Sequence, residues 1–147
     1  PMAAGLSLPR ENVERFVQRI NEDTGLTEED LIPRIHIDVP MPFSYVTADL
    51  VRQLAVLEPF GKGNPKPVFA DRNIRVKDSR IVGKNRNVLK LTLCDQTGRT
   101  YPAVYFGDVE QAEKDLQGQD TFSFIYYPQI NDYQGQEQIE FILSSYC

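Results

Sequence analysis

The basic residues of this chain are concentrated in its middle third, together with several tyrosines. Residues 59–107 carry 10 basic and 3 acidic side chains, whereas residues 1–58 carry 5 and 10, and residues 108–147 carry 1 and 8. The formal net charge is −5, so this distribution predicts one positively charged face on an otherwise acidic protein. Such a face is typical of nucleic-acid binding. The alternative is that the charges mix on the folded surface and bind no ligand.

Metal-dependent hydrolysis finds little support in the residue types. Two-metal sites need a cluster of carboxylates and histidines, and His36 is the single histidine. The acidic run at 28–30 is better explained as the first turn of a short helix after Thr27, where the helix dipole favours negative charge. We therefore predict no catalytic residue, no metal and no cofactor in this chain. A small hydrolase with an unrecognised metal site is the alternative, which a metal-supplemented nuclease assay distinguishes.

The first 58 residues combine helix and strand patterns. Residues 34–39 alternate strictly between polar and apolar types, which predicts a strand with one buried face. Thr47 is suited to cap a second helix. A first helix is predicted from apolar residues at offsets 0, 3, 4 and 7, namely Val13, Phe16, Val17 and Ile20.

Residues 57–69 contain three prolines and two glycines, a density that no regular element tolerates. The sequence therefore predicts an α+β segment over residues 1–58, a Pro/Gly-rich linker over residues 59–70 and a second domain over residues 71–147.

The second domain is predicted to be all-β with one helix. Alternating apolar residues predict five strands, and Asp108 is suited to cap a helix between the third and the fourth. This order fits the five-stranded Greek-key barrel called the OB-fold.

OB-folds bind ligands on the outer face around their second and third strands, framed by the loops between strands 1 and 2 and between strands 4 and 5. We predict these loops at residues 77–86 and 128–136. If Leu89, Leu91 and Leu93 face the core, Lys90 points outward. If Val104 and Phe106 face the core, the tyrosines of the third strand point outward. Cations for phosphates and aromatic rings for stacking then give the predicted nucleic-acid-binding residues: Lys77, Arg80, Lys84, Arg86, Lys90, Tyr101, Tyr105 and Tyr133. Ordinary packing of the tyrosines is the alternative.

Three segments resemble the RecJ family of exonucleases. LEPFGKGNPKPVFA at 57–70 is similar to that family's linker, in which Pro-Phe-Gly-x-Gly-Asn-Pro recurs. PMAAGLSL at 1–8 resembles the residues that follow the Gly-Gly-His motif of a DHHA1 domain, which implies that residues 1–58 are the C-terminal part of a DHHA1-like domain. VLKLTLCDQTGRTYPAVYFG at 88–107 is similar to the second and third strands of nucleic-acid-binding OB-folds.

This resemblance implies a 5′→3′ exonuclease specific for single-stranded DNA, active in DNA repair and recombination. Its Mn²⁺ or Mg²⁺ would be held by an upstream Asp-His-His domain that this chain lacks, so the chain alone is predicted to be inactive. The implied partner is single-stranded DNA. The alternative is a protein-interaction module that docks the acidic tail of a single-strand-binding protein, whose binding would not grow with oligonucleotide length.

The location is expected to be cytoplasmic. No apolar run reaches the length of about 18 residues that a membrane helix needs, and the first residues do not have the pattern of a signal peptide. Two cysteines, Cys94 and Cys147, do not indicate a disulfide framework.

Overall fold

The computed structural model describes residues 5–32, 34–133 and 135–147, except for the side chain of Tyr133. The chain forms two compact units, residues 1–35 and residues 36–147. Residues 1–4, which begin the segment similar to a DHHA1 domain, lie outside this description.

The N-terminal unit is helical. A 3₁₀ turn at Arg10–Asn12 leads into helix α1 (Val13–Asp23), which confirms the predicted first helix. A second 3₁₀ turn (Glu28–Leu31) follows Thr27 as predicted, and the Thr27 amide and hydroxyl both donate to Asp30 at 2.8 Å. These two hydrogen bonds lower the pKa of Asp30.

The strand predicted at residues 34–39 is wrong in extent. Only Val39–Pro40 forms a strand, β1, which pairs in parallel with Phe69 and Ala70. The first backbone bond of this pairing runs from the Asp38 N–H to the Val68 carbonyl, at 2.9 Å. Residues 34–37 have no strand partner among the described residues, and none of them is buried. Their alternation of polar and apolar types therefore does not correspond to a strand with one buried face.

The second unit contains helix α2, then five longer strands and helix α3. Thr47 caps α2 as predicted, because its side chain accepts a hydrogen bond from the Leu50 N–H. The order strand, strand, strand, helix, strand, strand is confirmed. The elements are α2 (Ala48–Leu54), β2 (Phe69–Val82), β3 (Val88–Cys94), β4 (Thr100–Tyr105), α3 (Val109–Asp115), β5 (Phe122–Tyr133) and β6 (Gln136–Tyr146).

The strands form one mixed six-stranded sheet whose pairings close on themselves. The neighbour order is β1-β2-β3-β4-β6-β5, and β5 also pairs with β2. The β4–β6 pairing is parallel, whereas the other pairings among β2–β6 are antiparallel. Each strand from β2 to β6 therefore has one side that faces a shared core and one that faces outward.

Phe43 joins the segment before α2 to this core. Its ring lies 4.4 Å from the ring of Phe141 and 4.6 Å from that of Tyr126, and it is 1% exposed. Its N–H donates to Asp71 at 2.8 Å, and the Tyr126 hydroxyl donates to the Met41 carbonyl at 2.8 Å. Residues that the sequence pattern placed in the N-terminal segment thus complete the core of the second unit. The predicted domain limits themselves stay a prediction.

The Pro/Gly-rich segment is ordered by backbone and side-chain contacts. Gly61 and Asn64 exchange two backbone hydrogen bonds, and the Asn64 amide donates to the Leu57 carbonyl at 2.7 Å. The Lys66 ammonium lies 4.3 Å from the ring centroid of Tyr127 on β5. This cation–π contact holds the segment against the sheet.

Both loops predicted to frame the binding face are shorter than expected. β2 continues to Val82, so Lys77 and Arg80 lie in a strand and the connection to β3 spans residues 83–87. The apolar pair Ile81 and Leu89 extends the ladder between these strands. In the same way, β5 continues to Tyr133 and pairs with Gln136.

Asp95 organises the turn between β3 and β4. One of its carboxylate oxygens accepts from the Thr97 amide and hydroxyl and from the Arg99 amide, and the other accepts from the Tyr101 hydroxyl at 2.6 Å. The hydrogen bonds from the Thr97 and Tyr101 side chains lower the pKa of Asp95 to about 2. Burial, and then the bond to Asp95, raises the pKa of Tyr101 to about 12.

Asp95 should make the stability of the unit pH-dependent in acid. Because its folded pKa lies below the unfolded value, its contribution is present above about pH 4 and is lost as the pH falls toward 2. Asp95→Asn should therefore flatten the free energy of unfolding against pH in this window, measured by urea denaturation. Tyr101→Phe, which removes one of the hydrogen bonds, should flatten it less. An unchanged slope in Asp95→Asn would contradict this assignment.

Phe43→Ala should destabilise the whole second unit by about 3–5 kcal/mol, the usual cost of removing a buried phenylalanine side chain. Thermal or urea unfolding followed through β-sheet circular dichroism measures this loss. Tyr45→Ala is the matched control, because Tyr45 is 73% exposed on the same 3₁₀ turn (Phe43–Tyr45). Equal stability of the two variants would show that this segment is not part of the core.

Candidate nucleic-acid interface

Strand β3 separates buried from exposed side chains as predicted. Leu89, Leu91 and Leu93 are buried, whereas Lys90 is exposed and Thr92 is partly exposed on the opposite side. We call the surface on that opposite side of β2, β3 and β4 the outer face. The register of the strands assigns to it Asp78 and Arg80, Lys90 and Thr92, and Pro102. Val104 has its register partner Lys90 on the same side but is only 3% exposed, so it is covered by neighbouring side chains.

A groove of about 290 Å³ runs across the outer face. Arg80 and Lys90 lie directly opposite each other on its β2–β3 side. The groove continues over β6 and β5, where its lining is polar: Glu140, Gln138 and Asn131. Its side chains are therefore able to contact both an anionic backbone and polar groups of a ligand.

The cations of this surface are not neutralised by ion pairs. In the part of the chain that the structure describes, the ion pairs are formed by Arg19, His36 and Arg52, and none includes a basic residue between 59 and 107. The two acids of the groove are Asp78 and Glu140, and Glu140 accepts a 3.4 Å hydrogen bond from the Gln129 amide. Arg80 and Lys90 are thus available to an external anion.

The connection between β2 and β3 brings two more predicted cations next to the outer face. Lys84 and Arg86 are exposed in this five-residue loop, which the Arg86 N–H closes by donating to the Gly83 carbonyl at 3.0 Å. Gly83 has a φ of +90°, a conformation that glycine adopts without steric cost. Lys77 is exposed at the bulge in β2 between Val76 and Asp78.

The outward orientation predicted for Tyr101 is wrong. Tyr101 is 4% exposed, and its ring packs edge-on against Phe141 with the centroids 5.8 Å apart. Its register partner on β3 is Leu93, which is fully buried. Tyr101 therefore has no free ring face for a base.

Tyr105 also lies on the core side of β4, between two buried register partners, Leu89 and Leu143. It is partly buried, and its ring packs against Tyr146 with the centroids 5.7 Å apart. The structure thus does not place Tyr105 with the cations of the outer face. Tyr133 ends β5, its side chain lies outside the described residues, and its contact with DNA stays a prediction.

Phe106 is the aromatic residue that the sequence pattern assigned incorrectly to the core. It is 59% exposed. The run Tyr-Pro-Ala-Val-Tyr-Phe at 101–106 is apolar on both sides of the strand, so alternation did not show which side is buried. Gly107 was an available signal, because a glycine leaves room for an aromatic ring against the backbone, and the ring of Tyr105 lies there.

The described residues hold no group of three or more His, Cys, Asp or Glu side chains that could bind a metal ion. His36 is exposed and lies 3.8 Å from Asp38. None of the helices seen in this structure has both the length and the apolar character needed to cross a bilayer.

Comparison with known proteins gives consistent matches. Residues 37–145 match the model of the RecJ OB domain family. The chain is 36% identical over 101 residues to the single-stranded-DNA-specific exonuclease RecJ of Bacillus subtilis, which aligns 67% of this chain with 13% of that protein. It is 29% identical over 148 residues to the RecJ exonuclease of Haemophilus influenzae, which aligns 97% of this chain with 25% of that protein.

The solved structures agree on the fold. The crystal structure of Thermus thermophilus RecJ in complex with Mg²⁺ matches 95% of this chain and 21% of that protein, with a TM-score of 0.66 at 17% identity. Because the family model covers the larger part of the sequence, the chain belongs to the RecJ OB domain family, and its mixed sheet is an OB-fold domain.

Proposed function

We propose that residues 36–147 bind single-stranded DNA for a RecJ-like 5′→3′ exonuclease that acts in DNA repair and recombination. In this proposal β2–β6 form the five-stranded barrel of the OB-fold, and the outer face holds the substrate strand for an upstream catalytic domain. The family membership supports it, and so do the two curated relatives, both of which are single-stranded-DNA-specific exonucleases.

The observation that carries the proposal is the pairing of Arg80 with Lys90. Like charges directly opposite each other on neighbouring strands are destabilising, and neither residue has an ion-pair partner among the described residues. A phosphate bound between them offsets this repulsion. Lys84, Arg86 and Lys77 extend the same positive surface along β2 and its loop, so that successive phosphates of one strand are able to bind.

The polar part of the groove favours single strands over duplex. Thr92, Gln138 and Asn131 present hydroxyl and amide groups, and these can bond to base edges that are unpaired. In a duplex those edges are occupied by the opposite strand. We expect affinity in the micromolar range, because the surface is small and holds two acids.

Catalysis belongs to a part of the parent protein outside this chain. We propose that Mn²⁺ or Mg²⁺ acts in that catalytic domain and that this chain alone does not hydrolyse DNA. Docking of a single-strand-binding protein stays open as the alternative use of the basic surface, and the cytoplasmic location remains a prediction.

Arg80→Ala and Lys90→Ala should each reduce the salt dependence of binding. One phosphate contact contributes roughly 0.7 to the slope of log affinity against log salt for a single strand. Each variant should therefore flatten the slope by about that amount, with little change in sequence preference, because phosphate contacts do not read bases. Fluorescence anisotropy with oligothymidylates at several salt concentrations measures it.

Lys114→Ala on α3 is the matched control, since it removes the same charge from an exposed site away from the outer face. All three variants should unfold cooperatively, and Arg80→Ala and Lys90→Ala should be no less stable than Lys114→Ala, because each removes one of two facing like charges. Equal slopes for Lys114→Ala and Lys90→Ala would refute the location of the site. Affinity that does not grow with oligonucleotide length would instead favour the protein-docking alternative.

A further inference from the structure

Phe106 is a large apolar side chain left exposed at the end of an outer-face strand. It is 59% exposed and directly follows β4. In the described part of the second unit, the other exposed large apolar side chains belong to segments before β2: Val39, Tyr45, Val56 and Leu57. The proposed DNA-binding surface therefore borders one exposed aromatic ring that the core does not use.

The local packing explains why Phe106 is outside. Tyr101, Ala103 and Tyr105 occupy the core side of β4, which leaves the even-numbered positions on the other side. Gly107 then lies against the ring of Tyr105, because a Cβ added there would be 2.1 Å from the tyrosine Oη. The chain turns tightly under Tyr105, and Phe106 gains no place in the core.

The register brings Phe106 next to the cations. Leu89 pairs with Tyr105, the last pair of the β3–β4 ladder, and Phe106 is the next residue of the chain. The neighbouring step pairs Lys90 with Val104. Phe106 therefore follows the position opposite Lys90 by two residues, about 7 Å of extended chain, a separation that one nucleotide can span between its phosphate and its base. The loop that carries Lys84 and Arg86 ends at Val88.

We infer that Phe106 is the platform on which a base of the bound strand stacks. This inference rests on the proposed function and deepens it, because it replaces the buried tyrosines by a ring with a free face. Stacking is tolerant of sequence because every base has a π-face. The outer face would then combine cations for the phosphates with one aromatic platform at the β2–β3 loop.

The chain contains no tryptophan, so Phe106→Trp introduces a single reporter at the proposed platform. Its emission should be quenched by oligothymidylate with the same midpoint that anisotropy gives. Tyr45→Trp, a control on another element at a side chain that is also well exposed, should show no quenching. Unchanged emission from Phe106→Trp at saturating DNA would overturn the inference.

Affinity measurements separate stacking from simple apolar contact. Phe106→Ala and Phe106→Leu should both weaken binding by about 5- to 150-fold, with an unchanged salt slope because no charge is removed. Binding by Phe106→Leu at the wild-type level would overturn the stacking role.

The inference and the proposed function fail in different ways. If Arg80→Ala and Lys90→Ala weaken binding while the Phe106 variants do not, the proposed function stands and the inference falls. If the unsubstituted chain binds no single-stranded DNA, both fall. Thermal unfolding should be the same for all Phe106 variants, since the side chain is exposed.

Discussion

The closure of the strand pairings is the constraint on which this structure depends. Because β5 returns to β2 and β4 joins β6, each residue of these strands faces either a shared core or the outside. Successive side chains of a strand point to opposite faces. Alternate residues therefore stabilise the core, and the residues between them are available for binding. Leu89 and Leu93 are fully buried, and Lys90 between them is exposed on the outer face. The aromatic ring of Phe43 fills part of the same core from outside the ring of strands.

The outer face combines a groove with positively charged side chains, although the net charge of the chain is negative. The acidic residues are concentrated at the two ends of the sequence, whereas β2, β3 and their loop carry the cations. The groove combines Arg80 and Lys90 with uncharged polar groups and two acids. Cations next to acids and uncharged polar groups suit weak, reversible binding of a strand, which supports the proposed role.

The sequence predicted the order of the elements because capping residues and clear alternation are local signals. Thr47, Asp108 and the leucines of β3 behave as expected. Alternation could not show which side of β4 is buried, since residues 101–106 are apolar on both faces. Tyr101 was therefore predicted to be exposed and Phe106 to be buried, whereas the structure shows the reverse. The predicted loop lengths were wrong for a related reason. Lys77 and Arg80 are charged residues typical of loops, but pairing with β3 extends β2 through them.

The proposed function requires single-stranded DNA to lie across the outer face of β2, β3 and β4. Backbone amide NMR during titration with oligothymidylate tests it directly. Shift changes should be concentrated at residues 77–92 and 103–106, with little change in α2, α3 or α1. Changes concentrated on α3 or in the N-terminal unit, with the outer face unaffected, would contradict it.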